Sequence, residues 1–244
     1  MIFTKQSFAA IGLLVMGVMS AGCSADAPNL AKTAGQGVAY SEYFHSYDGV
    51  KERKHLTYYK PVSVKEAKKT FPDQVKPVVH EVKASQLPFD IDEEDAYLIT
   101  SKQKDGEIVH EAQVSFLGKD EYDDVENFLI ISVAESKDNP LKAYQHTKDV
   151  DTVGNQIIEV PLADGLPIYQ QVLTTDSAML YTYYEENGEQ IGKVATAANE
   201  FYAYYQGHIY HAGYMIDKEK NDAATQKQML EIVRKYILDS AATE

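Results

Sequence analysis

Strand-like patterning dominates the chain from about residue 60 onward, with a helical stretch near each end of that region. Ser63-Val-Lys-Glu66 reads as a capping box, in which the serine oxygen accepts from an end N–H and Glu66 reaches back to the cap. Val64, Ala67 and Phe71 share one face of the helix this box opens, and Pro72 ends it. Strands are expected over Val78–Ala84, Ala96–Lys104, Glu107–Phe116, Phe128–Ala134, Ile157–Val160 and Ile168–Leu173. Asp105-Gly106 reads as a hairpin turn, and the unbroken apolar run Phe128–Ala134 as a central strand. Pro161 and Pro167 cannot donate to a ladder, which places that pair at a sheet edge or in a loop.

Two further hairpins follow. Met179–Thr196 is expected to fold around Asn187-Gly188, with positive φ at both loop residues. That register pairs Tyr184 with Ile191, Tyr183 with Gly192 and Tyr181 with Val194, so Tyr183 would cover the bare backbone of Gly192. The next hairpin turns at Gln206-Gly207 and joins Phe201–Tyr205 to His208–Met215. A last helix runs from about Asp222 to Leu238, with Gln226, Met229, Leu230, Val233, Tyr236 and Ile237 on its inward stripe. A short amphipathic helix is readable at Tyr40, Tyr43, Phe44 and Tyr47. The fold class expected is α+β: a largely antiparallel curved sheet or meander with a few helices, the C-terminal one packed on one face. Tight turns at 105–106, 187–188 and 206–207 argue against a parallel βαβ sheet, which needs helical crossovers.

Ahead of this region the pattern changes. Lys5 precedes an uncharged apolar run from Phe8 to Met19, then the small residues Ser20-Ala21-Gly22, then Cys23, the single cysteine of the chain. That is the layout of a secretory signal peptide. The run is shorter than the ~20 residues a spanning helix needs. From Ser24 to about Val38 the residues are small and polar, with Pro28, Gly35 and Gly37, and read as a flexible tether. About 15 such residues reach roughly 20 Å. The organisation expected is a signal peptide over 1–22, Cys23 with a tether to 38, and one extracytoplasmic α+β domain over 39–244.

The net charge of -14 excludes nucleic acid as a partner and leaves cations, basic partners and neutral ligands. With one cysteine, no intrachain disulfide is available to the fold.

Candidate chemistry is sparse. Of the seven histidines, only His208 and His211 are close in sequence, and on a strand residues three apart point to opposite faces. No metal site and no cofactor are therefore expected. Two acidic runs, Asp90–Asp95 and Asp120–Asp124, contain possible cation ligands, but the glycine and glutamate that an EF-hand needs are missing after Asp90. There is no G-x-S-x-G, no P-loop and no dinucleotide fingerprint. Tyr210-His-Ala-Gly-Tyr214 puts two tyrosines on one strand face, which makes Tyr210 and Tyr214 candidate ligand contacts.

Three resemblances attach to these residues. Ser20-Ala21-Gly22-Cys23 resembles a bacterial lipobox, with Ser20 where that motif usually has leucine. The resemblance implies a diacylglyceryl Cys23 as the mature N-terminus, anchored in the bilayer. Ser63-Val-Lys-Glu-Ala-Lys, Pro77, Leu87-Pro88 and the closing Met229-Leu-x-Ile-Val-x-x-Tyr-Ile resemble an uncharacterised domain of bacterial lipoproteins and of the extracytoplasmic parts of anti-sigma factors. It implies a curved sheet with a helix, and no reaction. The Tyr210/Tyr214 spacing is similar to the haem-binding strand of cell-surface iron-uptake domains. The function expected is a lipid-anchored, non-enzymatic envelope protein on the extracytoplasmic face of the cell membrane. Its role would be binding, sensing or assembly, with the bilayer and possible envelope proteins as partners. The alternatives are a haem-like, sugar or peptide receptor around Tyr210, and a carboxylate-based hydrolase.

Overall fold

The computed structural model describes residues 27, 29–40, 56–103, 105–143, 149–150, 154–174 and 181–239. The lipobox-like segment with Cys23, and the aromatic stretch Tyr43–Tyr47, lie outside them. Among the described residues eleven strands form one curved, unclosed mixed sheet. In chain order they are β1 (Lys32–Tyr40), β2 (Leu56–Tyr59), β3 (Glu93–Lys102), β4 (Ile108–Lys119), β5 (Val125–Glu135), β6 (Gln156–Ala163), β7 (Leu166–Val172), β8 (Tyr181–Asn187), β9 (Gln190–Thr196), β10 (Asn199–Tyr205) and β11 (His208–Met215). Helix α1 (Val64–Thr70) follows β2, and α2 (Ala223–Asp239) follows β11. The order across the sheet is β6-β7-β10-β11-β5-β4-β3-β2-β1-β9-β8. Strand neighbours are antiparallel except for β1 beside β9. The chain is α+β, as its patterning implies.

Period-two alternation gives this sheet two different faces. On the outer face Leu129, Ile131 and Val133 of β5, with Phe201, Ala203, Tyr210, Ala212 and Tyr214, form the main core beneath the helices. On the inner face the sheet curls until β8 lies over its middle strands. Phe128 and Ile130 there pack against Tyr181 and Tyr183. The buried Gln113 side chain pairs with the β8 backbone as a neighbouring strand would. Its Nε2 donates to Tyr184 O at 2.6 Å, and its Oε1 accepts Tyr184 N–H at 2.7 Å. A buried amide satisfied on both ends fixes where β8 rests.

α2 covers the outer face through Met229, Ile232, Val233, Tyr236 and Ile237, all buried, while Lys227, Glu231 and Lys235 are exposed. Ile232 replaces Leu230 in the expected stripe; Leu230 is half-buried at its margin. Asp222 caps the helix by accepting Thr225 N–H at 2.8 Å. Ser63 caps α1 by accepting Glu66 N–H, so one half of the expected capping box is present.

Three local expectations differ from the structure. Lys32–Val38, read from composition as part of a tether, belongs to β1. That strand fills the gap between β2 and β9, so pairing partners outweigh its weak intrinsic strand preference. Val78–Ala84 is not a strand: short 3-10 turns occupy Lys76–Val78 and Ala84–Gln86, with Pro77 in the first turn, and Val78, Val79 and Val82 still reach the core. The β8–β9 loop is Gly188-Glu189, because Asn187 pairs with Gln190. Gly188 alone has positive φ, +66°, as a type II′ turn with glycine first requires. Gly192 consequently faces Glu185, and Tyr183 faces Val194. The turns at Gln206-Gly207 and Asp164-Gly165 have positive φ at both residues, the type I′ form. Pro161 sits on the edge strand β6, opposite Pro167.

Candidate functional site

Tyr210 and Tyr214 do share one strand face, and it is the outer one. They are 1% and 0% exposed, within the core that α2 covers. A ligand could touch them only after α2 had lifted from the sheet, so this face offers no entry in the structure as it stands. Phe201 stacks on Tyr214 at 5.6 Å, which is core packing. His208 lies on the same side, with Nε2 3.0 Å from Gln74 O. His211 lies on the other side, as period two demands. Among the described residues no three His, Cys, Asp or Glu side chains gather as a metal site.

The inner face of the same two strands holds a different arrangement. The 206–207 turn pairs Tyr205 with His208, which sets Tyr202 opposite His211 and Glu200 opposite Gly213. Glu200 is 1% exposed, yet its Oε2 lies 2.6 Å from His211 Nε2 and accepts the Tyr202 hydroxyl. A buried carboxylate needs such donors, since burial without them costs several kcal/mol. Its second oxygen, Oε1, is buried and takes no hydrogen bond. The imidazole is clamped: Tyr202 stacks on it at 4.5 Å and 11°, and the Tyr181 ring meets it edge-on at 4.9 Å. Because the Glu200 carboxylate accepts, the nitrogen turned to it, Nε2, is the donor of this contact. The His211 side chain keeps 29% of its surface exposed.

Tyr181 reaches this place because Gly213 has no side chain. A Cβ there would stand 2.5 Å from the Tyr181 ring. Burial holds the Tyr181 hydroxyl well above its ordinary 10, and the charges of Glu200 and, less strongly, Glu111 push the same way. Across the sheet, His211 is paired with Ser132 and Ser132 with Gln113; one row along, Ile209, Ala134 and Glu111 follow one another. Tyr202, Tyr204, Ile209, His211, Ser132, Ala134 and Glu111 are all half-buried. This part of the inner face is a polar and aromatic floor.

The two acidic runs meet at one end of the same curl, around a lysine. Lys119 Nζ lies 2.8 Å from Glu93 and 3.1 Å from Asp123, and those contacts hold it charged, above its usual range. Asp92 accepts the Lys119 backbone N–H at 2.7 Å, and Asp120 organises its turn by accepting from Tyr122 and Asp124. Behind them burial, then the hydrogen bond and charge of Glu93, raise Asp95 to about 6, with Glu186 and Glu94 adding to the effect. These acids are occupied with one another and with Lys119, which is a structural role.

Sequence reasoning weighed His211 only as a partner for His208 and passed over Glu200, one of 37 acidic residues. The signal was present in the second hairpin. A two-residue turn at 206–207 already places Tyr202 beside His211, with Glu200 one diagonal step away. Comparison with known protein families, with characterised proteins and with solved structures gives no match.

Proposed function

We propose that this chain is a lipid-anchored extracytoplasmic protein that binds a ligand on the inner face of its curled sheet, with His211 as the central contact. The observation that carries the reading is the clamped imidazole: a half-exposed histidine whose orientation is fixed by a buried carboxylate and two tyrosine rings. Packing alone does not call for a buried charge at such a place, because burial of a carboxylate is costly until it is partnered. Binding is favoured over covalent chemistry because Ser132, the neighbour of His211 in register, makes no hydrogen bond to it. The address rests on the lipobox-like run ending at Cys23. Among the described residues no helix is long and apolar enough to cross a membrane.

The test of the binding role is a thermal-shift screen of the full-length chain in non-ionic detergent, run in parallel with His211→Ala. A native-state ligand raises the melting temperature. The expected result is a compound that stabilises the parent and not the variant. Equal stabilisation of both by every hit would move the binding site elsewhere. The address has its own check: Cys23→Ser should leave the membrane fraction or accumulate as precursor. Fractionation of the variant as a mature, detergent-dependent membrane protein would refute the anchor.

A further inference from the structure

We propose that the slot between β2 and β9 is a strand-binding site whose occupant, β1, exchanges with the same segment of a second copy to give a strand-swapped dimer. The slot lies on strands other than β10 and β11, and its occupant is read independently of any ligand at His211.

β1 is held by its main chain and little else. Lys32, Ala34 and Gly35 are exposed, and Thr33 is half-buried. Its ladder to β2 consists of Lys32 with Tyr59 and Thr33 with Tyr58. Its ladder to β9 is parallel and is broken between Gly35 and Val38. Parallel pairing is slightly weaker per residue than antiparallel. Glycine at 35 and 37 adds backbone entropy that the pairing must overcome. Side-chain help is local: Thr33 Oγ1 donates to Glu189 O at 2.7 Å, and Lys32 Nζ lies 5.7 Å from the centre of the Tyr59 ring. Just ahead, Ala27 and Leu30 touch the main core and are the strand's apolar foothold. Segments with few buried contacts are the first parts of a protein to open.

The walls of the slot stand without β1. Tyr97, Ile99, Tyr184 and Ile191 form a buried cluster, with Leu56 and Tyr58 packed against it. That cluster ties β2 and β3 to β8 and β9, and no residue of Lys32–Gly35 belongs to it. The rings of Tyr58 and Tyr184 meet edge-on within it at 6.0 Å. When β1 leaves, β2 and β9 are facing edges with unpaired N–H and C=O groups. Such edges are templates for an incoming strand.

The slot also selects its occupant. A Cβ at residue 35 would stand 1.9 Å from the Tyr58 ring, which Tyr184 braces, so the incoming strand needs glycine at that place. Residue 34, one step along, is exposed and is not restricted in this way. β1 meets the requirement, and so does β1 of every other copy of the chain. Residues 41–55 separate β1 from β2, and their extended length of roughly 50 Å does not confine β1 to its own slot. Exchange of an identical element is an easy route to a dimer, because each contact that is lost is made again on the partner.

The experiment mixes two purified full-length chains in non-ionic detergent, both with Cys23→Ser so that only the introduced thiols react. One has Ala34→Cys and the other Gln190→Cys, two positions paired in register between β1 and β9. Under mild oxidation a disulfide-linked heterodimer should form at least about tenfold faster than from Tyr122→Cys mixed with Gln190→Cys, since the exposed Tyr122 position meets its partner by collision alone. Adding Gly35→Val to the Ala34→Cys chain should return the rate to that baseline, with melting curves as the check on its fold. Native-state hydrogen exchange on the parent needs no variant and carries the test if the Gly35→Val chain does not fold. Amides of β1 should exchange well before those of β4 and β5. Cross-linking at the collisional rate, or β1 amides that exchange only with global unfolding, overturns the proposal. Fast cross-linking that Gly35→Val leaves unchanged overturns it as well, because a strand seated against Tyr58 has no room for that side chain.

Discussion

β10 and β11 present two faces a single residue apart in sequence, and the two are built for different ends. The outer face carries Phe201, Ala203, Tyr205, Tyr210, Ala212 and Tyr214, buried in the core that α2 covers. The inner face carries Glu200, Tyr202, Tyr204 and His211, half-open and hydrogen-bonded. Tyrosine occurs on both, so residue type does not separate them. What separates them is what the rings do. On the outer face the rings are fully or nearly fully buried and fill the core. On the inner face Tyr202 donates to a buried carboxylate and braces an imidazole, and Tyr181 lies over a glycine to meet the same ring.

The comparison can be broken at either face. The largest effect is expected on the outer side: Phe201→Ala, which empties a fully buried ring position, should cost about 3–5 kcal/mol in chemical denaturation. A loss below about 1 kcal/mol would mean that this face is not the core. Next, Gly213→Ala drives a methyl group into the Tyr181 ring, which is itself fully buried and has no room to move. Overpacking of that kind costs about 1–3 kcal/mol. It should also shift the His211 ring resonances, because Tyr181 is their edge neighbour; unchanged resonances would show that the clamp does not depend on the glycine.

Leu230→Ala on α2 should be milder than Ile237→Ala. Leu230 is half-buried at the margin of the helix contact, whereas Ile237 is fully buried. Truncating a buried aliphatic costs about 2–5 kcal/mol, and the marginal residue should lose less. Equal losses in melting experiments would mean that α2 is rotated relative to the sheet. The smallest effect concerns the acidic end of the curl. Asp95 is raised to about 6 from its ordinary 3.8, so the folded state holds that proton more tightly than the unfolded chain. Its stabilising contribution is complete below 3.8 and is lost as pH rises towards 6. Asp95→Asn should therefore raise the melting temperature at neutral pH and change nothing below 3.8. A variant less stable than the parent at neutral pH would contradict the sign.

Much of the fold was legible because it follows from period and punctuation. The apolar run of β5, the 206–207 turn and the stripe on α2 each carry a local signal strong enough to survive into the structure. β1 was not legible, since Ala34, Gly35, Gln36 and Gly37 become a strand only through the neighbours that flank them. The 187–189 loop slipped by one residue because Asn187-Gly188 and Gly188-Glu189 both satisfy two-residue turns, and pairing of Tyr183 with Val194 decides between them. The candidate site was readable only in part. Strand periodicity correctly put Tyr210 and Tyr214 on one face, but a single strand does not say which face the last helix will cover. The Glu200–His211 contact needed the hairpin register and the burial of Glu200 together.

The most direct measurement is a long-range proton–nitrogen spectrum of the histidine side chains of the full-length chain, followed through a titration with the compound that the thermal-shift screen selects. Before addition, His211 should show the proton held on Nε2, and Glu200→Gln should disturb that signal. During the titration, His211 should shift and saturate, while the rings of Tyr210 and Tyr214 stay unmoved beneath α2. A His211 signal averaged between tautomers from the start, or shifts that never saturate and follow the exposed acids near Glu121 instead, would contradict the assignment of the inner face as the ligand seat.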